Sequence, residues 1–492
     1  MFFKRLFYIY SAVYLLLLFI VFTLYSVDDS VSYPFHVIGL LILLLLFFIK
    51  EFQANKNLFT LWVKPSNIFL LSFIIVNFQI IISAWLEYET IGTYLETSKY
   101  SGYMGKVLYL GLIGMIAYLI GYSYSYKNIR VANLNIPWHL NSNVWATLSL
   151  VAFVMFVINI DIISFLTGMD YEGSGAADRE TTPFAFWETL FDTFMTITIA
   201  LTTKKFLNDN SIPSLFGYIR SYPIYFLFPV LIYLLLRLVS GDRGPVLYTG
   251  LMFFFSYLLI SKRKIKLSVV LPLLFVGAFG MTLLNLVRNF RNTNQTFTEK
   301  VTRGLSSIED DVDTKSISPF TYELAKSVNC NFIAVHDIEE GVTNYKYGLY
   351  NFCEIASAVP GLNRITTELF DLNLYRTATS EYVTISYLGE NYMFGLGTTA
   401  ITDFYLDLGL LGVILGMILV GIVYRRIDIN LLNGVGSLWG IVFFLKFASM
   451  AVYIPRASFS FVLCRVLYIM IFFTLINTSA HVLKICLSKK GM

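Results

Sequence analysis

KRLFYIYSAVYLLLLFIVFTL, residues 4–24, places two basic residues ahead of a run that carries no charge. A helix needs roughly 20 mostly apolar residues to cross about 30 Å of hydrocarbon, so the run from Phe7 onward reads as a membrane span. No small-residue cleavage site follows it, which makes it an uncleaved helix rather than a secretory leader. The rest of the chain repeats the pattern. Of 492 residues 57% are hydrophobic and only 14% charged, and the mean hydropathy is +0.67, outside the range of a soluble globular protein.

Twelve such runs begin near Phe7, Pro34, Pro65, Lys106, Val144, Phe186, Tyr222, Pro245, Leu267, Phe404, Gly434 and Ser460. The second, Phe35 to Ile49, is the shortest. The expected fold is therefore an all-α polytopic membrane protein of about twelve transmembrane helices. It divides into an N-terminal bundle of about nine helices (1–287), one large extracytoplasmic loop or subdomain (288–403) and a C-terminal three-helix segment (404–492). Lysine and arginine in short loops stay on the cytoplasmic side, and the loops alternate without conflict. The N-terminus, Lys50/Lys56/Lys64, Lys127/Arg130, Lys204/Lys205/Arg220, Lys262/Arg263/Lys264/Lys266, Arg425/Arg426 and Lys484/Lys489/Lys490 mark one side. Only Glu51, Asp209 and Asp428 oppose them there. Both termini are expected to be cytoplasmic.

The cations of the two sides differ in kind. The cytoplasmic set holds thirteen lysines and six arginines, whereas the outer set holds seven lysines and ten arginines. The outer ten are Arg179, Arg237, Arg243, Arg288, Arg291, Arg303, Arg364, Arg376, Arg456 and Arg465. A guanidinium binds phosphate or carboxylate through two parallel bonds and does not lose its proton, so this distribution points to an anionic headgroup near the outer leaflet. The competing reading is that long arginines reach the interface and pair with acids such as Asp242. Asp161, Asp192, Arg237, Asp407, Lys446 and Arg465 fall inside spans, towards their outer ends. Such charges are costly unless they are paired or line water. Interhelical pairs such as Asp192 with Lys446 would account for part of the set. With no row of acids at mid-membrane, a proton pump is disfavoured.

Residues 288–403 form the one long polar stretch, longer than a simple connection requires. It opens with NLVRNFRN, which sets Arg288 and Arg291 on one helix face. The acidic run Glu309, Asp310, Asp311, Asp313 lacks metal-ligand spacing and reads as a solvated strip. From Tyr322 to Ile338 and from Leu349 to Val359 apolar residues recur at helical spacing, as in short helices lying on the membrane face, and Pro360-Gly361 ends the second. His336, followed by Asp337, Glu339 and Glu340, is a candidate base or a packing residue. Cys330 and Cys353 share this loop, where an oxidising compartment would permit a disulfide. No Walker loop, paired-histidine motif or Asp-rich nucleotide-sugar pair occurs, so neither a metal nor a cofactor is expected.

The loop closes with GLGTTAITDFYLDLGLLG, Gly395 to Gly412, which runs straight into the tenth span. Its glycines permit tight turns. Asp403 and Asp407 lie four apart, on one face if the segment is helical. A carboxylate there is a candidate general base, or Asp403 is a helix N-cap.

SGDRGPVLY (Ser240 to Tyr248), NLVRNFR and GLGTTAITDFYLDLGLLG resemble segments of the bacterial Wzy-type polymerases, and the span pattern with one late outer loop is similar over most of the chain. That family joins oligosaccharide repeat units carried on polyprenyl pyrophosphate during O-antigen or capsule synthesis. Asp403 stands where many relatives are expected to carry Glu. The resemblance implies a bacterial inner-membrane glycosyltransferase working at the periplasmic face, with undecaprenyl-pyrophosphate-linked oligosaccharide as donor and acceptor. It also implies a separate chain-length regulator and no nucleic acid. Asp403, and after it His336, would be the base. Arg243, Arg288 and Arg291 lead the expected pyrophosphate ligands, with Arg364, Arg376, Arg456, Arg465 and Tyr405 beside them. The O-antigen ligases share these motifs. A flippase for the same lipid-linked sugar is the rival in another class, although no internal repeat supports alternating access. A glycosyltransferase using a single lipid-phosphate sugar is the remaining alternative.

Overall fold

The structure is a computed structural model that describes residues 2–24, 32–59, 63–86, 97–124, 140–161, 183–209, 211–240, 242–262, 319–359, 361–370, 378–390 and 395–490. Every regular element among the described residues is helical. We number the longer ones α1 (Phe2–Leu24), α2 (Tyr33–Ala54), α3 (Pro65–Trp85), α4 (Met104–Ser123), α5 (Ser142–Asn159), α6 (Pro183–Asn208), α7 (Ile224–Val239) and α8 (Arg243–Ser261). There follow α9 (Pro319–Ala325), α10 (Asn329–Glu339), α11 (Leu349–Ala356), α12 (Leu362–Leu369), α13 (Thr379–Leu388), α14 (Ala400–Asn433), α15 (Leu438–Ser449) and α16 (Phe459–Lys490).

Nine helices among the described residues are long and apolar enough to cross a membrane, namely α1 to α6, α8, α14 and α16, while α7 and α15 are apolar but shorter. The expected span from Leu267 lies outside the described residues, as do Arg288, Arg291, Arg376 and the acidic run from Glu309. In α1 the residues Phe7, Ser11, Tyr14, Leu18 and Phe22 are buried. Their three- and four-residue spacing is one helix face, and the other faces are left for lipid. Such helices cannot be held together by a hydrophobic effect that lipid already satisfies, so close packing and polar contacts must do it.

The second span extends beyond the expected Phe35–Ile49: α2 continues to Ala54 through Lys50 and Glu51. Both side chains are buried, and their charges are matched. Lys50 Nζ lies 3.1 Å from Glu51, which also pairs with Arg425 of α14. Nearby, Asp428 accepts a 2.6 Å hydrogen bond from Tyr122 and lies 3.9 Å from Lys64. A sequence reading stops at the first charge, but paired charge lets the helix continue inside the bundle.

The segment Tyr322–Ile338 does not lie on the membrane face either. It folds as α9 and α10, and Asn329 to Asp337 of α10 are all buried against α13, α14 and the start of α4.

The bundle's tightest joint is between α4 and α14. A Cβ on Gly121 would sit 2.1 Å from the Ile418 carbonyl oxygen, and one on Gly421 would sit 2.2 Å from that of Tyr118. Two backbones therefore meet where a side chain has no room. Gly421→Leu should cost at least about 3 kcal/mol by overpacking and remove the monodisperse peak in detergent chromatography. Gly250→Leu, at a site with nothing within 4 Å, should leave that peak unchanged.

Candidate active site

Thr399 starts α14. Its hydroxyl accepts from the Thr402 amide at 2.9 Å, which is the role of an N-cap. Asp403 therefore stands a full turn inside the helix and is not the cap, correcting one of the two readings of that residue. The helix then breaks at Leu408 and Gly409, whose φ is +62°. A Cβ on Gly412 would lie 2.1 Å from the Phe404 carbonyl oxygen, and one on Gly416 would lie 2.5 Å from the Phe404 ring. Eight residues of straight helix span about 12 Å, so residues 400–407 fold back against the head of the span instead of continuing it. A positive φ suits glycine, and Gly412 and Gly416 give the returning segment its space.

On that folded-back turn the two aspartates do different work. Asp407 accepts from the backbone N–H groups of Tyr350 at 3.3 Å and Asn351 at 3.0 Å, and from the Asn351 side-chain amide. It thus caps α11 from another helix. Asp403 is 1% exposed. Thr398 Oγ1 donates to its Oδ1 at 2.8 Å. The hydroxyls of Ser458 and Thr379 approach the carboxylate, yet Oδ2 has no hydrogen-bond partner. A buried acceptor without a donor costs about 1–3 kcal/mol.

A complementary orphan lies close by. Arg456 ends the short helix Ile454–Arg456 between α15 and α16, its Nε is buried without a partner, and it makes no ion pair among the described residues. Its guanidinium stands 5.7 Å from the centre of the Tyr453 ring. A Cβ on Gly244 would touch that ring at 3.7 Å, so the motif around Arg243 reaches the same place. Arg243 is the first residue of α8, and its side chain is not among those described. Arg456 and Asp403 are the two charges acting on Cys330, whose thiol burial pushes up to about 12. At neutral pH that thiol is protonated and no nucleophile.

Uncharged polar side chains hold the floor. Asn331 of α10 donates to Asn77 of α3 at 3.0 Å and accepts from Thr399 at 2.5 Å and Thr402 at 2.7 Å. One buried amide thus joins three helices. His336 is buried too. Its Nδ1 lies 2.9 Å from Asp337, and its ring faces those of Tyr100 and Tyr103 at 5.0 and 5.5 Å. Asp337 also receives the Tyr382 hydroxyl at 2.9 Å and that of Ser386. The geometry therefore sets His336 in a packed tie between α10 and α13.

A second polar cluster joins α6, α7, α8, α15 and α16. Lys446 contacts Asp192 at 2.8 and 2.6 Å, the pair expected from the sequence. Arg237 pairs with Glu188 and, at 3.1 Å, with Asp242. Arg465 donates to Thr189 at 2.8 Å within the field of Asp192 and Glu188. Three acids face three cations, so this group is neutral in itself. Arg364 is apart from both clusters, exposed and paired with Glu368 at 3.1 Å. Tyr405 is buried, with its ring against Phe22 and Tyr345. Cys330 and Cys353 are both free. Sequence reasoning weighed the glycines and aspartates of GLGTTAITDFYLDLGLLG and passed over Thr398, Thr399 and Thr402, whose hydroxyls hold Asp403, the helix start and Asn331. Asn331, Asn77 and Ser458 carry no local pattern that would have flagged them.

The sequence model of one protein family, O-antigen polysaccharide polymerase Wzy, matches residues 7–490, nearly the whole chain. The chain belongs to that family, as its motifs suggested, and is a multi-pass membrane protein of polysaccharide biosynthesis. No curated protein and no solved structure matches it at a significant level.

Asn331→Ala should strand three buried hydrogen-bonding groups and cost about 3 kcal/mol or more, read as a lower unfolding temperature in detergent. Asp407→Ala should speed hydrogen exchange in residues 349–356 about tenfold, the cost of one lost cap, while exchange in α1 to α4 stays unchanged.

Proposed function

We propose that the chain polymerises undecaprenyl-pyrophosphate-linked oligosaccharide repeat units at the outer face of the bacterial cytoplasmic membrane, with Asp403 as general base and Arg456 among the pyrophosphate ligands. The observation that carries this reading is the pair of buried orphans, the Asp403 Oδ2 acceptor and the Arg456 Nε donor, whose charges both act on Cys330. Two opposite, unsatisfied charges suit a reaction that takes up a proton at one point and releases an anion at another.

In that reaction the acceptor sugar hydroxyl attacks the anomeric carbon of the donor. The bond from that carbon to the pyrophosphate oxygen breaks as the glycosidic bond forms. The hydroxyl proton passes to Asp403, and the lipid pyrophosphate leaves with the bonding electrons. Negative charge grows on its oxygens, where guanidiniums placed in advance stabilise it. Arg243 and, beyond the described residues, Arg288 and Arg291 join Arg456 in this role. Arg465 is committed to the neutral cluster and Arg364 is exposed, so both rank lower than the sequence placed them. His336, held by Asp337 and two tyrosines, ranks below Asp403 as base. The energy comes from the lipid pyrophosphate bond, so no nucleotide or metal is required, and a separate chain-length regulator completes the proposed set of partners.

In liposomes supplied with the lipid-linked repeat, Asp403→Asn should cut polymer formation by about 100-fold or more, and Arg456→Ala should do the same. Arg456→Lys should recover part of the loss. Each variant should purify as well as the parent protein. An Asp403→Asn protein that polymerises at the parent rate would remove Asp403 from the chemistry. Activity should also survive a chelator, and a loss reversed by added divalent ion would overturn metal independence.

A further inference from the structure

Helix α12 has three sides. At 100° per residue, Ile365 and Leu369 lie within about 60° of Leu362, and they are 60% and 74% exposed. Arg364 and Glu368 sit at about 200° and 240° on the same wheel, paired at 3.1 Å with side chains 78% and 68% exposed. Thr366 and Thr367, on the third side, are buried at 4% and 3%. One flank therefore packs on the protein, one is bare hydrocarbon and one is bare charge. The bare apolar flank continues through Phe370 onto Phe352 of α11, whose rings meet edge to face at 6.2 Å and are both exposed.

The same structure indicates what covers this surface. Ser357, just past α11, lies 3.3 Å from the sulfur of Cys464. Cys464 is inside α16, which is long and apolar enough to span a membrane, and Leu467, one turn further on, is an exposed apolar residue of that helix. The apolar flank of α11 and α12 is thus continuous with the lipid-facing side of a span. An apolar edge beside a charged edge is the arrangement of a helix lying in a membrane interface, with hydrocarbon on one side and headgroups on the other.

We infer that α12 and the adjoining end of α11 form an interfacial anchor, its Ile365–Leu369 edge in the acyl region of the leaflet and Arg364 and Glu368 among the lipid headgroups. Arg364 then serves bilayer phosphate rather than the reacting pyrophosphate. The anchor bears on the reaction, because α11 is tied to the segment beside Asp403: Glu354 accepts from Ser458, and Asn351 accepts from Ser460. It sets the height of that segment against the headgroup plane in which a polyprenyl phosphate lies. This last consequence rests on the proposed function; the placement of α12 does not.

The test uses the full-length protein with Cys464→Ser and Cys486→Ser, since the remaining cysteines, Cys330 and Cys353, are buried. It is reconstituted in nanodiscs of phosphatidylethanolamine and phosphatidylglycerol, with a nitroxide on Leu369→Cys or, separately, on Glu368→Cys. Oxygen concentrates in hydrocarbon and a nickel chelate in water. The anchor predicts that oxygen relaxes the label at 369 more than the chelate does, and that the order reverses at 368. Chelate dominance at both positions would put α12 in water and overturn the proposal. Shielding from both reagents at 369 would mean that protein covers the flank, which also overturns it. Nanodiscs open both faces and the readout needs no turnover, so an error in the proposed reaction or its side of the membrane leaves this result intact.

Discussion

The fold-back at Leu408–Gly409 is the constraint on which the packing of α10, α11 and the head of α14 depends. A helix entering a membrane ordinarily continues straight, because within hydrocarbon each backbone polar group must be satisfied inside the segment. Here residues 400–407 turn back over Gly412 and Gly416, and protein supplies the partners that the broken ladder gives up. The Lys346 amide donates to the Leu406 carbonyl at 2.8 Å. Asp407 reaches the start of α11, and Asn331 gathers Thr399 and Thr402. A straight α14 would carry Asp403 away from Ser458 and Arg456 and leave α11 uncapped.

Charge is handled by a second rule, that a buried ion is matched wherever it has no further task. Glu51 with Lys50 and Arg425, Asp428 with Lys64, and the group around Asp192 and Arg237 obey it. Asp403, which is buried, and Arg456, whose Nε is buried, make no such pair among the described residues. These two groups of opposite sign, both acting on Cys330, are the ground for the proposal that a charged substrate binds beside them.

Much of the architecture was legible in the sequence because hydrocarbon is an undemanding solvent to read: length and apolarity are nearly the whole signal. The start of α14 could be reached that way, whereas the Asp192–Lys446 pair was read from charges inside spans and the family from three short motifs. Charge inside a helix could not, which is why α2 was read too short at Lys50. Nor could the depth of α10, since an amphipathic pattern such as Tyr322–Ile338 fits a membrane surface and a protein interior equally well. The candidate site was half legible. Asp403 was visible in the sequence, but the threonines that fix it and the break that turns it back depend on contacts with Asn331, Phe404 and Ser458, far apart in sequence or hidden by the assumption of a continuous helix.

The account stands or falls on whether the chain joins repeat units, and the most direct measurement is a gel of surface polysaccharide from cells lacking the gene, with and without the restored protein. The account predicts that the deletion leaves lipid A core carrying a single repeat unit and that the restored protein brings back the ladder. Core with no repeat at all would contradict it. Polymer gathered on the outer leaflet would then identify a ligase, and single units held on the inner leaflet a flippase.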